Sequence, residues 1–340
     1  MDASPRPLRV ILSSILAFVV AACSGAATDP TVFPSPSPAP SATPAVSPAT
    51  GPTASPAPAF PVTIVDDEGT SVDIPAEPRR IVSLTPATTE ILFAIGAGDR
   101  VVATTDFDDY PPEAVELPDV ASFTSVDVEQ IVGLEADLVI AGGNNFNDPE
   151  AIARLRSLGV PVVVTYAADV EGVLRDIELV GSSVGRRDQA RDLVASMRAG
   201  FDQVARATRD RERPRVFYEL DATSEIYTAA DDSFIEEMID LAGGDPITTG
   251  STTSFSISLE RLIDADPELI LLGDAAYGVT PDQVAQRSGW AVMTAVHDGR
   301  IEPVDDVVIT RPGPRLVEGL RQLAGAIHPD VDLPSPVPVP

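Results

Sequence analysis

The 340-residue sequence contains no lysine; its 23 basic residues are all arginine. That absence removes the lysine of a phosphate-binding P-loop, Schiff-base catalysis and pyridoxal anchoring together. Two histidines and one cysteine fall short of the roughly three convergent ligands, His or carboxylate, that a zinc or manganese site gathers, and both histidines sit near the C-terminal end. Aromatic residues make up only 5% of the chain, so aromatics gathered in loops carry information that core packing does not explain. Positive charge is scarce as well. With 52 acidic residues the formal net charge is -29, which repels a nucleic-acid backbone.

What is present begins with an address. Arg6 and Arg9 precede an apolar run from Val10 to Ala22, too short for a permanent bilayer-spanning helix, and this pattern predicts a secretory signal over residues 1–22. The run ends at Val20-Ala21-Ala22-Cys23, which resembles the bacterial lipobox; Cys23 is then the first mature residue and carries a diacylglyceryl group. Two acyl chains at about 0.8 kcal/mol per buried methylene give a stable membrane anchor. The other reading is an ordinary signal followed by a chance cysteine. Residues 23–60 hold Pro, Ala, Ser and Thr with almost no charge, a composition that favours extended polyproline segments and predicts an unfolded, semi-rigid stalk. Residues 329–340, ending in a Pro- and Val-rich stretch, are expected to form a second disordered fringe.

Hydrophobic residues make up 44% of the chain, enough for two cores. Between Pro61 and Pro75 alternating apolar residues around Glu68-Gly69 predict a hairpin. From Ile81 the pattern changes to short apolar strands alternating with helical stretches, which reads as an α/β lobe over residues 61–186. A second such series begins at Arg215 and fills residues 211–328. Between them, residues 187–210 place Ala190, Leu193, Val194, Met197, Phe201, Val204 and Ala205 on one stripe with no proline, predicting a single helix about 36 Å long at 1.5 Å per residue. The lobes echo each other. "DVEQIVGLEADLVIA" from Asp127 and "SLERLIDADPELILL" from Ser258 share apolar spacing, an N-cap residue and a glutamate in the first helical turn.

These pieces, with "RIVSLTPATTEILFAIGAGDRVVATTDFDDYPPEA" and "TRPGPRLVEGLRQLA", resemble the ABC-importer binding proteins for cobalamin and ferric siderophores, from about Arg79 to Ile327. The resemblance implies two Rossmann-like α/β lobes bridged by one long helix, a ligand cleft between the lobes, no enzymatic activity and no resident cofactor, the bound small molecule being cargo. It implies work as an extracytoplasmic monomer with a permease dimer and its ATPase subunits. It also places the two glutamates that dock such proteins onto arginine pockets of the permease at Glu129 and Glu260. Acidic residues in a first helical turn also simply suit the helix dipole, at about 0.3 to 1 kcal/mol each. The cleft residues it suggests are Thr85, Pro86, Phe107, Tyr110, Phe123, Asn144, Phe146, Phe255, Trp290 and Arg311, whose ring faces suit a flat or macrocyclic ligand.

Two ligand classes stand at this point. Phe123 replaces the tryptophan usual in cobalamin-binding relatives, and Thr310 the acidic residue usual before the pocket arginine. Arg311 also suits the anionic oxygens of a ferric siderophore. Haem is disfavoured, because the axial tyrosine of haem-binding relatives falls near Ser122. Outside this family, Gly181-Ser182-Ser183-Val184-Gly185 fits the G-x-S-x-G pattern of a secreted serine hydrolase, but the apolar stripe before it is helical, where a nucleophile elbow needs a strand. Gly96-Ala97-Gly98 lacks the third glycine and the acidic partner of a dinucleotide fingerprint and reads as a helix end. His297 and His328 are expected on the surface.

Overall fold

The computed structural model describes residues 60–335 apart from residue 123. In the N-terminal half the chain runs β1 (Val62–Val65), β2 (Ser71–Ile74), β3 (Ile81–Ser83), α1 (Pro86–Ala94), β4 (Val101–Thr105), α2 (Pro112–Val115), β5 (Asp119–Ser122), β6 (Ser125–Val126), α3 (Val128–Gly133), β7 (Leu138–Gly142), α4 (Pro149–Ser157), β8 (Val162–Thr165) and α5 (Val170–Ser183). Helix α6 (Arg187–Thr208) follows. The C-terminal half holds β9 (Arg215–Glu219), β10 (Ile226–Tyr227), α7 (Phe234–Leu241), β11 (Asp245–Pro246), β12 (Ser256–Ile257), α8 (Leu259–Ala265), β13 (Leu269–Leu272), α9 (Pro281–Ala285), α10 (Thr294–His297), β14 (Ile301–Pro303), α11 (Asp306–Thr310) and α12 (Leu316–Ile327).

The continuous apolar runs predicted as strands are buried on both faces, as parallel strands covered by helices require. They form two sheets. The first has the order β6-β5-β4-β3-β7-β8, parallel except for the β5–β6 pair, and the second the order β11-β9-β13-β14, parallel throughout. In each sheet the chain steps first to one side of its starting strand and then to the other. That reversal opens a crevice beside β3 and β7 in the first lobe and beside β9 and β13 in the second.

The β1–β2 hairpin forms a small separate sheet fastened to the first lobe by its turn. Asp66 is buried there, accepts the amides of Glu68, Thr70 and Val164, and pairs with Arg156 at 2.9 Å. Gly96, with φ of +72°, ends α1 as the glycine pattern suggested.

Helix α6 spans 22 residues, about 33 Å at the helical rise. Its stripe of Ala190, Leu193, Val194, Met197, Phe201 and Val204 is buried, while Ala205, expected on the same stripe, is only half-buried because it lies at the stripe's edge. The buried side packs on α5 of the first lobe and on α7 and α12 of the second. One apolar core therefore runs through both lobes along this helix, from Ile81, Leu138 and Val173 to Tyr218, Leu269 and Leu320. Smaller clusters fill the far face of each sheet.

Two expectations need correction. Residues 329–335 are held down: Asp330 pairs with Arg211 at 2.6 Å, Arg321 donates to the Pro334 carbonyl, and Leu333 packs against the core; residues 336–340 lie outside the described part. His328 is buried, with its Nε2 3.2 Å from the Gly243 carbonyl, because α12 carries it under the β11 turn, and burial lowers its pKa. His297 is exposed, as expected.

The close approach of α11 and α12 depends on Gly319, where a Cβ would collide with the Val308 carbonyl carbon and oxygen. Gly319→Ala is expected to destabilise the chain by about 1–3 kcal/mol, measured as a lower midpoint in urea unfolding at an unchanged slope.

Candidate functional site

A cavity of about 650 Å³ lies between the lobes. From the first lobe it is walled by the segments that follow β3, β4, β7 and β8, and from the second by Tyr277 after β13 and by the chain from Asp306 to Pro312. Both walls are thus carboxyl ends of parallel strands at the crevices just described.

Local chemistry fixes the first wall. Thr85 caps α1 by accepting the Thr88 amide at 3.1 Å, with Pro86 at the first helical position. Asn147 braces the loop after β7, accepting from the Gly142 amide at 2.7 Å and donating to the Leu84 carbonyl at 3.1 Å. Gly142 must lack a side chain, because a Cβ would stand 2.7 Å from the Thr85 methyl group. Asn144 and Asn145 both take left-handed φ values, and the Asn144 amide reaches the Tyr166 hydroxyl at 3.2 Å. The ring of Phe146 is half exposed beside them.

Arg311 also lines the cavity, but its charge is already engaged. Its Nη1 lies 2.8 Å from Glu90 Oε1 and 2.5 Å from Asp109 Oδ1, and Arg315 reaches both Glu90 oxygens at 2.7 and 3.0 Å. Glu90 has only 2% of its side chain exposed, and it joins α1 of the first lobe to the α11–α12 corner of the second. Burial alone would lower the Arg311 pKa; the bonds to Asp109 and Glu90 outweigh it and raise the value. The Arg315 guanidinium in turn covers the Tyr110 ring at 4.4 Å.

The sequence-predicted residues therefore divide. Thr85, Pro86, Phe107, Asn144, Phe146 and Arg311 line the cavity. Tyr110 does not; it is held under Arg315 beside the Glu90 cluster. Trp290 does not either, because only 3% of it is exposed and it packs edge-on to Phe217 beneath Arg287, as part of the second lobe's outer core. Phe255 stands on the exposed segment before β12, off the cavity wall. Phe123 and Cys23 lie outside the described residues. Sequence reasoning missed Tyr166, Tyr277 and Asp176. The two tyrosines follow strands in the same way as the predicted loop residues, and that position was the signal available.

Glu129 and Glu260 are both exposed in the first turns of α3 and α8. Asp127 caps α3 through the Gln130 amide at 2.9 Å, and Ser258 caps α8 through the Arg261 amide at 3.2 Å, so the repeated motif produces the same local structure in each lobe. Ser183 is fully buried inside α5, with its hydroxyl donating to the Leu179 carbonyl at 2.8 Å. No strand precedes it and no substrate could reach it, so a nucleophile elbow is absent there.

Two α/β lobes pinned along a shared helix, with a partly apolar cavity between their strand ends, define a solute-binding protein. The chain belongs to the periplasmic binding protein family, whose sequence pattern matches residues 81–306. It is 35% identical over 276 residues to the uncharacterized ABC transporter substrate-binding lipoprotein YvrC of Bacillus subtilis, covering 80% of this chain and 87% of that one. A cobalamin-binding protein of Halobacterium salinarum is 32% identical over 281 residues, 79% of this chain and 75% of that one. Among solved structures, the periplasmic heme-binding protein RhuT of Roseiflexus sp. RS-1, in apo form, superposes with a TM-score of 0.65 at 28% identity, covering 74% of this chain and 98% of that one. Members of this family are extracytoplasmic, bind a small ligand and work with the permease and ATPase components of ABC importers.

The Glu90 cluster yields a contrast. Glu90→Ala leaves two mostly buried guanidinium groups without their shared acid and is expected to destabilise by about 3–5 kcal/mol in chemical unfolding. Asp109→Ala removes the exposed end of the same cluster and should cost about 1 kcal/mol or less.

Proposed function

We propose that this chain is the lipid-anchored solute-binding protein of an ABC importer, that it captures cobalamin or a similar bulky corrinoid chelate between its lobes, and that it leaves the ligand chemically unchanged. The observation that carries this reading is the interlobe cavity itself, where aromatic rings from both lobes, Phe107, Phe146, Tyr166 and Tyr277, surround a space of about 650 Å³. Ring faces of this kind suit a broad flat macrocycle. A named cobalamin-binding relative over most of the chain supports the same ligand class. Ferric siderophore binding is the second reading, favoured by the Arg311 guanidinium on the cavity wall.

Cys23 is the lipid attachment site in this reading, supported by the lipobox-like sequence and by a relative named as a lipoprotein. Glu129 and Glu260 are the docking carboxylates. Their support is the matched placement of each in a capped first turn, one per lobe, exposed and, among the described residues, without an ion-pair partner. Two carboxylates held apart on a rigid frame fix orientation and raise encounter rates more than they add affinity.

Calorimetry of the purified chain with cyanocobalamin and with a ferric hydroxamate tests the ligand; a 1:1 heat of binding is expected for cyanocobalamin, and saturation by the hydroxamate alone transfers the function to siderophore uptake. Replacing both Glu129 and Glu260 with arginine should leave solution affinity unchanged while stopping uptake in whole cells. Normal uptake by that double variant refutes the docking role.

A further inference from the structure

The charged cluster that ties α1 and the loop after β4 to the α11–α12 corner is divided by the cavity wall. Asp109 and Arg311 line the cavity, whereas Glu90 and Arg315 stand behind it. Two carboxylates face two guanidinium groups, and they are held on different terms. Glu90 is 2% exposed and accepts from Arg311 Nη1 at 2.8 Å and from Arg315 at 2.7 and 3.0 Å. Releasing it would leave buried positive charge unmatched, so it stays in place. Asp109 has 56% of its side chain exposed; its Oδ1 accepts from Arg311 Nη1 at 2.5 Å, and Arg315 Nη2 stands back at 4.0 Å. An ion pair half in water adds little to stability and costs little to break.

The backbone on both sides is fixed, so only the Asp109 side chain needs to move. Beside it Asp108 is buried, and its Oδ2 accepts the Thr105 amide at 2.9 Å and the Thr105 hydroxyl at 2.6 Å, which pins the loop to the end of β4. Arg311 ends α11 with its amide on the Val307 carbonyl at 3.2 Å, and its own carbonyl accepts the Gly313 amide at 2.8 Å. The guanidinium therefore keeps its position through Glu90 whether or not Asp109 rests on it. Arg311 is also the only cation among the described lining residues. Of the other acids on the wall, Asp306 is engaged by the Tyr218 and Thr310 hydroxyls, and Asp176 stands on α5 of the first lobe.

Charge arithmetic then sets what this corner accepts. With Asp109 turned into solvent, Glu90, Arg311 and Arg315 carry one net positive charge, and the guanidinium on the wall has the planar fork that matches carboxylate and phosphate oxygens. A ligand that brings one anionic oxygen group restores neutrality, exchanging one acid for another. A ligand that is neutral at this point leaves Asp109 in place and gains nothing from the charge of Arg311.

Resting on the solute-binding reading above, we propose that Asp109 is a placeholder and a specificity-determining residue of the interlobe cavity: in the empty protein it occupies the place on Arg311 that an anionic oxygen group of the ligand, a phosphodiester or a carboxylate, takes on binding.

The test uses the full chain and two matched pairs of probes. Cyanocobalamin carries a phosphodiester that dicyanocobinamide lacks, and ferrichrome A carries free carboxylates that ferrichrome lacks, so the pairs separate a corrinoid source of the anion from a siderophore source. Calorimetry gives the affinity ratio of charged to neutral member, in which effects common to both cancel. Asp109→Asn keeps the shape and removes the charge; it should raise that ratio about tenfold, or 1.4 kcal/mol, in the pair that the protein binds. Asp109→Glu should keep the wild-type ratio. Asp109→Ala opens the place itself. Its melting point should fall by up to about 2–4 °C, and acetate should restore it saturably where chloride at equal ionic strength does not. In the same variant acetate should compete with the charged probe and leave binding of the neutral one unchanged.

If a pair binds but Asp109→Asn leaves its ratio unchanged or lowers it, Asp109 is a structural tie alone, and the proposal falls while the solute-binding reading stands. A raised ratio without competition by acetate also overturns it, because the anion then sits elsewhere and Asp109 merely repels it. If none of the four probes binds the wild type or the variants, the corrinoid and siderophore readings of the cavity fail. Rescue of the Asp109→Ala melting point by acetate then still upholds an exchangeable anion place on Arg311, and its absence removes it.

Discussion

The structure depends on the burial of one stripe of α6 against both lobes at once. Leu193, Met197, Phe201 and Val204 give each lobe part of the same core, so separating the lobes would expose apolar surface that neither sheet could cover alone. Gly200 and Gly181 allow the close approach that this demands: a Cβ on Gly200 would run into Val317 of α12, and one on Gly181 into Ala190 of α6 itself. The Glu90 cluster is a second tie between the lobes, from α1 to the α11–α12 corner, and it works by desolvated charge where the spine works by apolar contact. With two ties of different chemistry, the cavity is a space framed by two lobes that are fastened to each other on separate elements.

Electrostatics within the site follow from that closeness. A molecule with a net charge of -29 has many carboxylates to place, and at the cavity they are either paired with arginine or shifted towards the neutral form by burial. Glu90 and Asp109 are consumed by arginines, whereas burial first and Asp67 second push the Asp176 pKa up to about 9. Asp306, bonded to the Tyr218 hydroxyl, is also raised, again chiefly by burial. The result is a wall whose polarity comes from hydrogen-bonding groups more than from net charge, and whose apolar share comes from the four rings together with aliphatic residues such as Pro86, Ile91 and Val307.

The two lobes repeat a local solution as well as an architecture. In each, an N-cap side chain starts a short helix, a glutamate stands exposed in its first turn, and a fully buried strand follows, β7 in one case and β13 in the other. Placement of one exposed carboxylate per lobe on a frame with a shared core gives a fixed spacing between them, and that rigidity is what makes them candidates for orienting the chain on a partner.

Much of this was legible in the sequence because it is locally encoded. The alternation of buried strands and helices, the unbroken apolar stripe of α6, the hairpin turn at Glu68-Gly69 and the caps at Asp127 and Ser258 all arise from interactions within a few residues or from a simple period. So do the cavity-lining positions just after strands, Thr85, Pro86, Asn144 and Phe146, since a parallel sheet puts its strand ends at the crevice. Residue type alone misled where placement depended on distant partners: Trp290 is buried in the core beneath Arg287, His328 is buried against the Gly243 carbonyl, and Tyr110, though exposed, is stacked under Arg315. The charge state of the cavity was decided only by tertiary structure, because Asp176 and Asp67 are 109 positions apart and Arg311 and Glu90 221 apart. A carboxylate's proton and an arginine's availability are set by what the fold brings within a few ångströms, and no pattern along the chain records that distance.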